Sequence, residues 1–356
     1  MPHPSVTTRI PVTLAETAAP LEDLPAPSLG LPRIRVMIVN YNGGSDLARC
    51  IAALLAQSLR DFEAVIVDNG SIDGSLEDLP NDPRLTILRM GKNLGFAAGN
   101  NQAAAGAAAP WLVMLNPDAF PASDWLELLL DEAALHGEYA AFGSTQVMSA
   151  DPSRADGLGD CFSPYGFAWR GGCRKPLPVP VPAGESFAAC AAAMMIRRDW
   201  FERLGGFDER FFCYGEDVDL CFRLRLAGGR VWQSNRARVE HVGSAASGGA
   251  HSVFSLYHGY RNQIWLIAKN MPGPILVVTL LTYLPLLLLR CLLLKKPGAI
   301  WVVLKATFDG FKGLRAFWPD RQKLQGERKA STLAIARMLS WSPMALLQRR
   351  AKLLKG

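Results

Sequence analysis

The chain has 356 residues, 49% of them apolar, which is enough to bury a large core in one large domain or two. Its net charge of +6 is uneven, because residues 290–356 contain 15 Lys and Arg against 3 Asp and Glu, so that residues 1–289 carry a net charge of −6. Because the basic residues of this tail alternate with long apolar runs, its composition favours an anionic membrane surface over nucleic acid as a partner.

The cysteine pattern indicates a reducing compartment, and the N-terminal composition indicates where the folded part begins. The seven cysteines are odd in number and form no Cys-x-x-Cys pair, which is typical of reduced, packed thiols in a cytosolic protein. Residues 1–33 are rich in proline and lack periodicity, so we predict a disordered leader there. No apolar stretch near the N-terminus resembles a signal peptide.

Strand and helix patterns alternate after the leader. The predicted elements are a strand at 35–42, a helix from about residue 45, strands at 62–67 and 85–89, an alanine-rich helix at 96–108 and a strand at 111–115. This order predicts a mostly parallel, three-layer α/β fold. Because the strands end in Asn or Asp, and the carboxyl ends of parallel strands meet at one edge, we expect a polar cluster there. Its members are Asn40, Asn42, Asp68, Asn93 and Asp118.

The strand predicted at 111–115 indicates where a ligand could bind. Its residues are large and apolar, and Pro117 cannot continue a central strand, so the chain must leave the sheet there. Asp118 is therefore expected at the carboxyl end of a central strand, where α/β sheets bind ligands. Its carboxylate could hold a divalent cation such as Mg²⁺, although an ordinary turn residue would give the same pattern.

The same sheet edge can bind a nucleotide without a phosphate-binding loop. Asp68 can accept hydrogen bonds from a base or a ribose hydroxyl, and Gly95 and Gly99 let backbone come close to a ligand. The chain has no Gly-x-Gly-x-x-Gly after the first strand and no Gly-x-x-x-x-Gly-Lys-Ser/Thr anywhere. These absences argue against dinucleotide oxidoreductases and P-loop nucleotidases.

Four polar segments in a fixed order carry a family resemblance. They are Val39-Asn40-Tyr41-Asn42, Val67-Asp68-Asn69-Gly70-Ser71, Asn93-Leu94-Gly95-Phe96-Ala97-Ala98-Gly99-Asn100-Asn101 and Leu115-Asn116-Pro117-Asp118. Over residues 34–271 the chain resembles the inverting family 2 glycosyltransferases, most closely their bacterial rhamnosyltransferase branch. The resemblance implies a GT-A fold with a nucleotide-sugar half at 34–125 and an acceptor half at 126–271. It also implies a sugar-diphosphonucleoside donor and a divalent cation, Mg²⁺ or Mn²⁺.

The resemblance implies roles for individual residues. Asp118 occupies the last position of the family's Asp-x-Asp metal motif, whose first acidic position is Asn116 here, and His241 is the candidate for a second metal or diphosphate contact. Arg261, on a helix predicted at about 253–270, either neutralises the departing diphosphate or pairs with a nearby acid. The implied nucleotide-sugar contacts are Asn40, Asn42, Asp68, Asn93, Gly95, Asn116 and Arg261.

The acceptor half contains the expected proton acceptor. Residues 151–186, rich in Gly, Pro and aromatic side chains, predict a loop-rich wall of a cleft. Farther along, three acids open a helix, where the helix dipole favours them, and Asp219 can pair with Arg223 at i,i+4. Inverting transfer needs a general base, and the resemblance favours Asp217 in that role, with Glu216 as the alternative.

The tail, residues 272–356, is predicted to lie at a membrane. Residues 275–289 carry no charge but are short for a bilayer, and Pro285 interrupts them. Residues 300–318 have the pattern of a basic amphipathic helix with aromatic anchors. Because a single span would carry the basic tail across the membrane, we expect an in-plane or re-entrant tail on the cytoplasmic face of the inner membrane, peripheral or monotopic. The alternative is a buried helix hairpin in a soluble dimer.

The combined prediction is a glycosyltransferase that moves rhamnose from dTDP-rhamnose to a lipid-linked saccharide for cell-envelope polysaccharide. The sugar rests on the resemblance alone, so the same fold using another donor is an alternative. A non-catalytic membrane adaptor that binds nucleotide-sugar is a second alternative, and the Glu216-Asp217 pair argues against it because a pure binder needs no base. A sugar nucleotidyltransferase would need a Gly-rich, Arg-containing loop after the first strand, which this chain lacks.

Overall fold

The computed structural model describes residues 32–243, 252–292 and 297–355, so the predicted leader lies outside the described residues except for its last two. The strands are β1 (Ile34–Asn40), β2 (Phe62–Asp68), β3 (Leu85–Arg89), β4 (Trp111–Leu115), β5 (Ala119–Pro121), β6 (Ala141–Met148), β7 (Asp151–Gly157), β8 (Asp160–Phe162), β9 (Ala168–Arg170), β10 (Gly184–Glu185), β11 (Ala193–Arg197) and β12 (Val231–His241). The α-helices are α1 (Gly44–Leu55), α2 (Gly95–Ala104), α3 (Trp125–Leu135), α4 (Arg198–Arg203), α5 (Glu216–Leu226), α6 (Val253–Asn270), α7 (Gly273–Leu292), α8 (Pro297–Gly313), α9 (Trp318–Gly326), α10 (Thr332–Met338) and α11 (Pro343–Gln348).

The first half of the chain forms a parallel sheet between two helical layers. β3, β2, β1 and β4 lie side by side in that order and run parallel. Side chains of β1 alternate between two apolar clusters: Val36 and Ile38 pack with α1 and α3, whereas Met37 packs on the opposite face with α2, α4 and α5. The expected three-layer α/β fold is therefore confirmed, and the carboxyl ends of these strands meet at one edge.

The second half widens the sheet and returns a long strand to that edge. β11 lies antiparallel between β4 and β6, and β12 runs parallel to β6. β12 extends over 11 residues, although a register irregularity between Gln233 and Arg238 interrupts its pairing with β6. Since β12 also pairs with β5, His241 lies opposite Ala119, next to the end of β4.

Residues 151–186 contain more regular structure than the predicted loop-rich wall. β7 pairs with β6, while β8 and β9 form a separate two-stranded hairpin. Phe162 and Phe167 of this segment are almost completely buried, so the aromatic residues build core as well as wall. Other parts of the segment line the cleft described below, as expected.

The tail packs against the same core as residues 34–271. α8 lies along α6, and Tyr283 of α7 stacks on Phe167 with ring centroids 5.2 Å apart. Near the end of the chain, Leu354 forms a bridge with Glu185 at the edge of the sheet. Within the described ranges, α7 is the one helix that is long and apolar enough to cross a membrane, although one of its faces packs on the core.

Candidate active site

A cleft of about 1570 Å³ opens at the sheet edge where β1 and β4 end. Its walls come from the loops after β1, β2, β3 and β4, the β8–β9 hairpin, the start of α5 and helices α6, α7 and α11. The predicted site residues that line it are Asn42, Asn93, Gly95, Asn116, Asp118, Glu216, Asp217 and His241. Residues predicted from both halves of the chain therefore converge on one cavity.

Asp118 and His241, which are far apart in the sequence, are neighbours in the cleft. His241 Nε2 lies 3.2 Å from Asp118 Oδ1, and His241 Nδ1 lies 2.7 Å from Asp156 Oδ2. Burial by itself would lower the pKa of His241, but hydrogen bonds to Asp118 and Asp156 together raise the pKa above its ordinary value. A carboxylate on the far ring nitrogen is the usual support of a metal-binding imidazole, because it fixes the orientation of the ring.

The residues around Asp118 fit a divalent cation. Asn116 Nδ2 lies 3.3 Å from His241 Nε2, and Asn116 Oδ1 is buried with no hydrogen-bond partner among the described residues. A carboxylate and an amide oxygen are ligands that Mg²⁺ and Mn²⁺ prefer, and an imidazole nitrogen is acceptable to Mn²⁺. Asp118, Asn116 and His241 are therefore the residues that would hold such an ion.

Part of the predicted nucleotide cluster has a supporting role in this structure. Asn40 is completely buried, and its Nδ2 donates to Ser71 Oγ at 3.0 Å and to Ser75 Oγ at 2.9 Å. Asp68 accepts a hydrogen bond from the Ser71 backbone N–H at 3.2 Å. Asn40 and Asp68 thus hold the loop after β2 and do not line the cleft, whereas Asn42 does.

Gly95 and Arg261 make contacts that differ from those expected. Gly95 has φ +85°, and a Cβ there would lie 2.6 Å from the Phe212 carbonyl oxygen, so glycine is needed for packing against Phe212. Arg261 Nη2 donates to the Phe211 carbonyl at 3.1 Å, and the Arg261 guanidinium lies 4.3 Å from the Trp265 ring centroid. Because Arg261 does not line the cleft, contact with a diphosphate would require its side chain to move.

Asp217 presents its carboxylate to the cleft at the N-terminus of α5. Its Oδ2 accepts from the Ala191 backbone N–H at 3.1 Å, and its Oδ1 accepts from the Val218 N–H at 2.8 Å. Burial raises the pKa of Asp217, and these N–H groups together with Arg170 limit the rise. Burial and the Asp217 charge raise the pKa of Glu216 well above its ordinary value. Of the two carboxyl groups, Asp217 is therefore the one that ionises more readily.

Three charged residues of the cleft region, Asp156, Asp160 and Arg170, are not marked by any motif. Arg170 donates to Asp156, and its Nη1 lies 3.5 Å from His241 Nδ1. A carboxylate oxygen of Asp160 lies within 4.8 Å of one of Asp217. Burial and the Asp217 charge raise the pKa of Asp160 well above its ordinary value, which favours the protonated form of Asp160 beside an ionised Asp217. In the sequence, these three residues stand out only as ionisable side chains within the segment predicted as a cleft wall.

Two family models match the chain. The model for glycosyl transferase family 2 matches residues 35–205, and the model for the N-terminal domain of galactosyltransferase matches residues 183–245. An N-acetylglucosaminyl-diphospho-decaprenol L-rhamnosyltransferase of Mycobacterium tuberculosis is 31% identical over 222 residues, covering 54% of this chain and 70% of that protein. An O-antigen biosynthesis protein of Myxococcus xanthus is 32% identical over 233 residues, covering 62% of this chain and 18% of that protein.

Two solved structures share the fold. GalNAc-T7, crystallised with UDP, GalNAc and Mn²⁺, has a TM-score of 0.56 at 17% identity, covering 69% of this chain and 49% of that chain. TarS of S. aureus has a TM-score of 0.54 at 15% identity, covering 83% of this chain and 55% of that chain. This chain thus spans about half the length of both structures. The likeness at these identities concerns the fold.

Proposed function

Because the chain belongs to glycosyltransferase family 2 and is a hexosyltransferase with the GT-A fold, we propose that it transfers rhamnose from dTDP-rhamnose to a lipid-linked saccharide. The sugar and the acceptor class are supported by the M. tuberculosis relative, whose name gives an L-rhamnosyl transfer to a diphospho-decaprenol compound. A product in cell-envelope polysaccharide is supported by the M. xanthus relative. The observation in this chain that carries the proposal is that Asp118 and Asp217 line the same cleft.

In the proposed reaction, Asp217 acts as the general base. An acceptor hydroxyl gives its proton to Asp217 while its oxygen forms a bond to the anomeric carbon of the donor sugar. The bond from that carbon to the diphosphate breaks on the opposite face, and the nucleoside diphosphate leaves with the bonding electrons. We assign the donor to residues 34–125 and the acceptor to residues 126–271, as the sequence suggested. The raised pKa of Glu216 supports Asp217 in this role.

The rate of transfer is expected to fall at acidic pH, with a midpoint above the ordinary pKa of an aspartate. Because burial raises the pKa of Asp217, the active carboxylate form is lost as the pH falls through that raised pKa, by about tenfold per pH unit below it. The measurement is kcat from pH 4 to 8, with nucleotide binding and circular dichroism as controls for the donor site and the fold. A kcat that stays constant down to pH 4 would contradict Asp217 as the base.

A divalent cation, Mg²⁺ or Mn²⁺, is part of the proposal. Held by Asp118, Asn116 and His241, the ion would offset the negative charge of the donor diphosphate. Asp156 supports this arrangement by fixing the His241 ring through Nδ1. GalNAc-T7, which shares the fold, was crystallised with Mn²⁺.

Replacing Asp118 by Asn is expected to lower kcat/KM by about a hundredfold and to raise the Mn²⁺ concentration needed for half-maximal turnover. The asparagine side chain has nearly the size of aspartate, but it lacks the carboxylate that lies 3.2 Å from His241 Nε2. Turnover is measured against Mn²⁺ and Mg²⁺ concentration, with Asp124→Asn, a loss of an exposed carboxylate at the start of α3, as the matched control. An unchanged metal dependence in the Asp118 variant would refute this assignment.

Membrane association of the tail is a further part of the proposal. The exposed apolar side chains of α7 and α8 include Leu284, Leu288, Trp301 and Phe308. With the basic excess of residues 290–356, these side chains suit the anionic cytoplasmic face of the inner membrane. Because one face of α7 packs on the core, an in-plane or re-entrant arrangement, peripheral or monotopic, fits better than a helix surrounded by lipid.

The experiment that tests the function is a panel of nucleotide-sugars incubated with the full chain, membrane extract and Mg²⁺ or Mn²⁺. Metal-dependent consumption of dTDP-rhamnose with label entering the lipid fraction is the expected result. Consumption of another nucleotide-sugar would keep the reaction and replace the donor. Nucleotide binding without consumption of any donor would favour the non-catalytic adaptor.

A further inference from the structure

The active-site cleft continues into an apolar arm formed by the tail. This apolar arm is lined by Leu281, Pro285, Leu286 and Leu289 of α7 and by Leu346 and Leu347 of α11, and Asp217 and Tyr260 line the same cavity. We propose that this apolar arm binds the isoprenoid chain of the lipid acceptor and that Arg290 binds its diphosphate. The inference rests on the proposed function and adds to it the place where the lipid is bound.

The apolar arm has the composition of a lipid site. Leu281 is 72% exposed, Leu289 52% and Leu347 71%, so more than half of each of these side chains is accessible to solvent. The opposite face of α7, by contrast, is buried on the core through residues such as Thr279, Tyr283 and Leu287. Binding a branched hydrocarbon between α7 and α11 would remove the exposed leucines from water, which is favourable for apolar surface.

Arg290 supplies the charge that an isoprenoid diphosphate needs. Its guanidinium lies 4.9 Å from the ring centroid of Phe167 and 5.9 Å from that of Tyr260, and all three residues line the cleft. Among the described residues, no acidic side chain forms an ion pair with Arg290. Two aromatic rings therefore hold a guanidinium whose hydrogen-bond donors remain available, and a guanidinium matches a diphosphate through paired N–H donors.

The continuity of the cavity selects this occupant over others. A membrane lipid would also cover the exposed leucines, but its binding would not require a cavity shared with Asp217. A lipid-linked acceptor must bring a sugar hydroxyl to Asp217 while its hydrocarbon chain stays out of water. The observed cleft joins the Asp217 carboxylate, the Arg290 guanidinium and the exposed leucines in that single cavity.

The test is photolabelling of the full chain in mixed micelles with a benzophenone-bearing farnesyl diphosphate, followed by peptide mapping. We expect saturable label on residues 281–290 or 343–349, competed by unlabelled farnesyl diphosphate. Arg290→Gln is expected to weaken labelling and to raise the KM for the lipid acceptor, each by about tenfold, with the donor KM unchanged. Arg315→Gln, which removes an exposed charge of the same tail, is the matched control. Leu289→Glu, at an exposed position of α7, is a second variant of the apolar arm.

The outcomes separate this inference from the proposed function. Saturable label in the apolar arm supports the site even if no donor sugar is transferred, in which case the proposed function fails. Sugar transfer to lipid with label confined to α8 or to other surfaces overturns the site and leaves the function standing. Label that farnesyl diphosphate does not compete, or an equal loss in the Arg290 and Arg315 variants, means that α7 meets only bulk lipid and also overturns the site.

Discussion

Replacing Asp217 by Asn is expected to lower kcat for sugar transfer by about a thousandfold, with little change in donor binding. The amide has nearly the size of the carboxylate and keeps an oxygen that can accept from the Ala191 or Val218 N–H. It cannot accept the proton of an acceptor hydroxyl, so the loss falls on the chemical step. Single-turnover transfer and nucleotide binding are the two measurements.

Glu216→Gln is the matched control for the Asp217 variant. Glu216 is the neighbouring acid in the same cleft, and its pKa is raised well above the ordinary value by burial and by Asp217. Because the raised pKa of Glu216 favours its protonated form, a neutral isostere is expected to lower kcat by less than about tenfold. If the Glu216 variant lost activity while the Asp217 variant kept it, the roles of the two acids would be exchanged.

Replacing Asp219 by Asn is expected to lower the free energy of unfolding by about 4 kcal/mol. Asp219 is fully buried, and its Oδ2 accepts from Arg223 Nε at 2.7 Å and from Lys269 Nζ at 2.9 Å. Its Oδ1 accepts from Asn270 Nδ2 at 2.7 Å. The amide would leave two buried cations with less negative charge beside them, which is costly in a water-free interior. Urea unfolding followed by circular dichroism is the measurement.

The Asp217 variant is also the control for the Asp219 prediction. The two residues lie on the same helix, but Asp217 faces the cleft, and within the described part of the chain its carboxylate accepts from backbone N–H groups and from no cationic side chain. We therefore expect Asp217→Asn to unfold at about the wild-type urea concentration. Equal stability of the Asp219 variant and the wild type would refute the structural role of that residue.

The sequence by itself determined the order of the strands and helices over residues 34–115 and the edge at which the site lies. The apolar run at 111–115, stopped by Pro117, predicted a central strand with Asp118 at its carboxyl end, and β4 confirms that strand. Such predictions succeed because periodicity and strand termination depend on residues that are adjacent in the chain. The membership of family 2 was likewise predicted from ordered local motifs and is confirmed by the family model.

The tertiary structure decided which polar residues share an environment. Asp217 and Asp219 lie two residues apart on the same helix, yet of these two acids it is Asp219 that forms an ion pair with Lys269 from α6. His241 meets Asp118 because β12 continues through its register irregularity. The tail also closes one side of the cleft, which its composition did not predict. A carboxylate's pKa and partners depend on long-range contacts, so only the folded chain separates the proposed base from the structural acid.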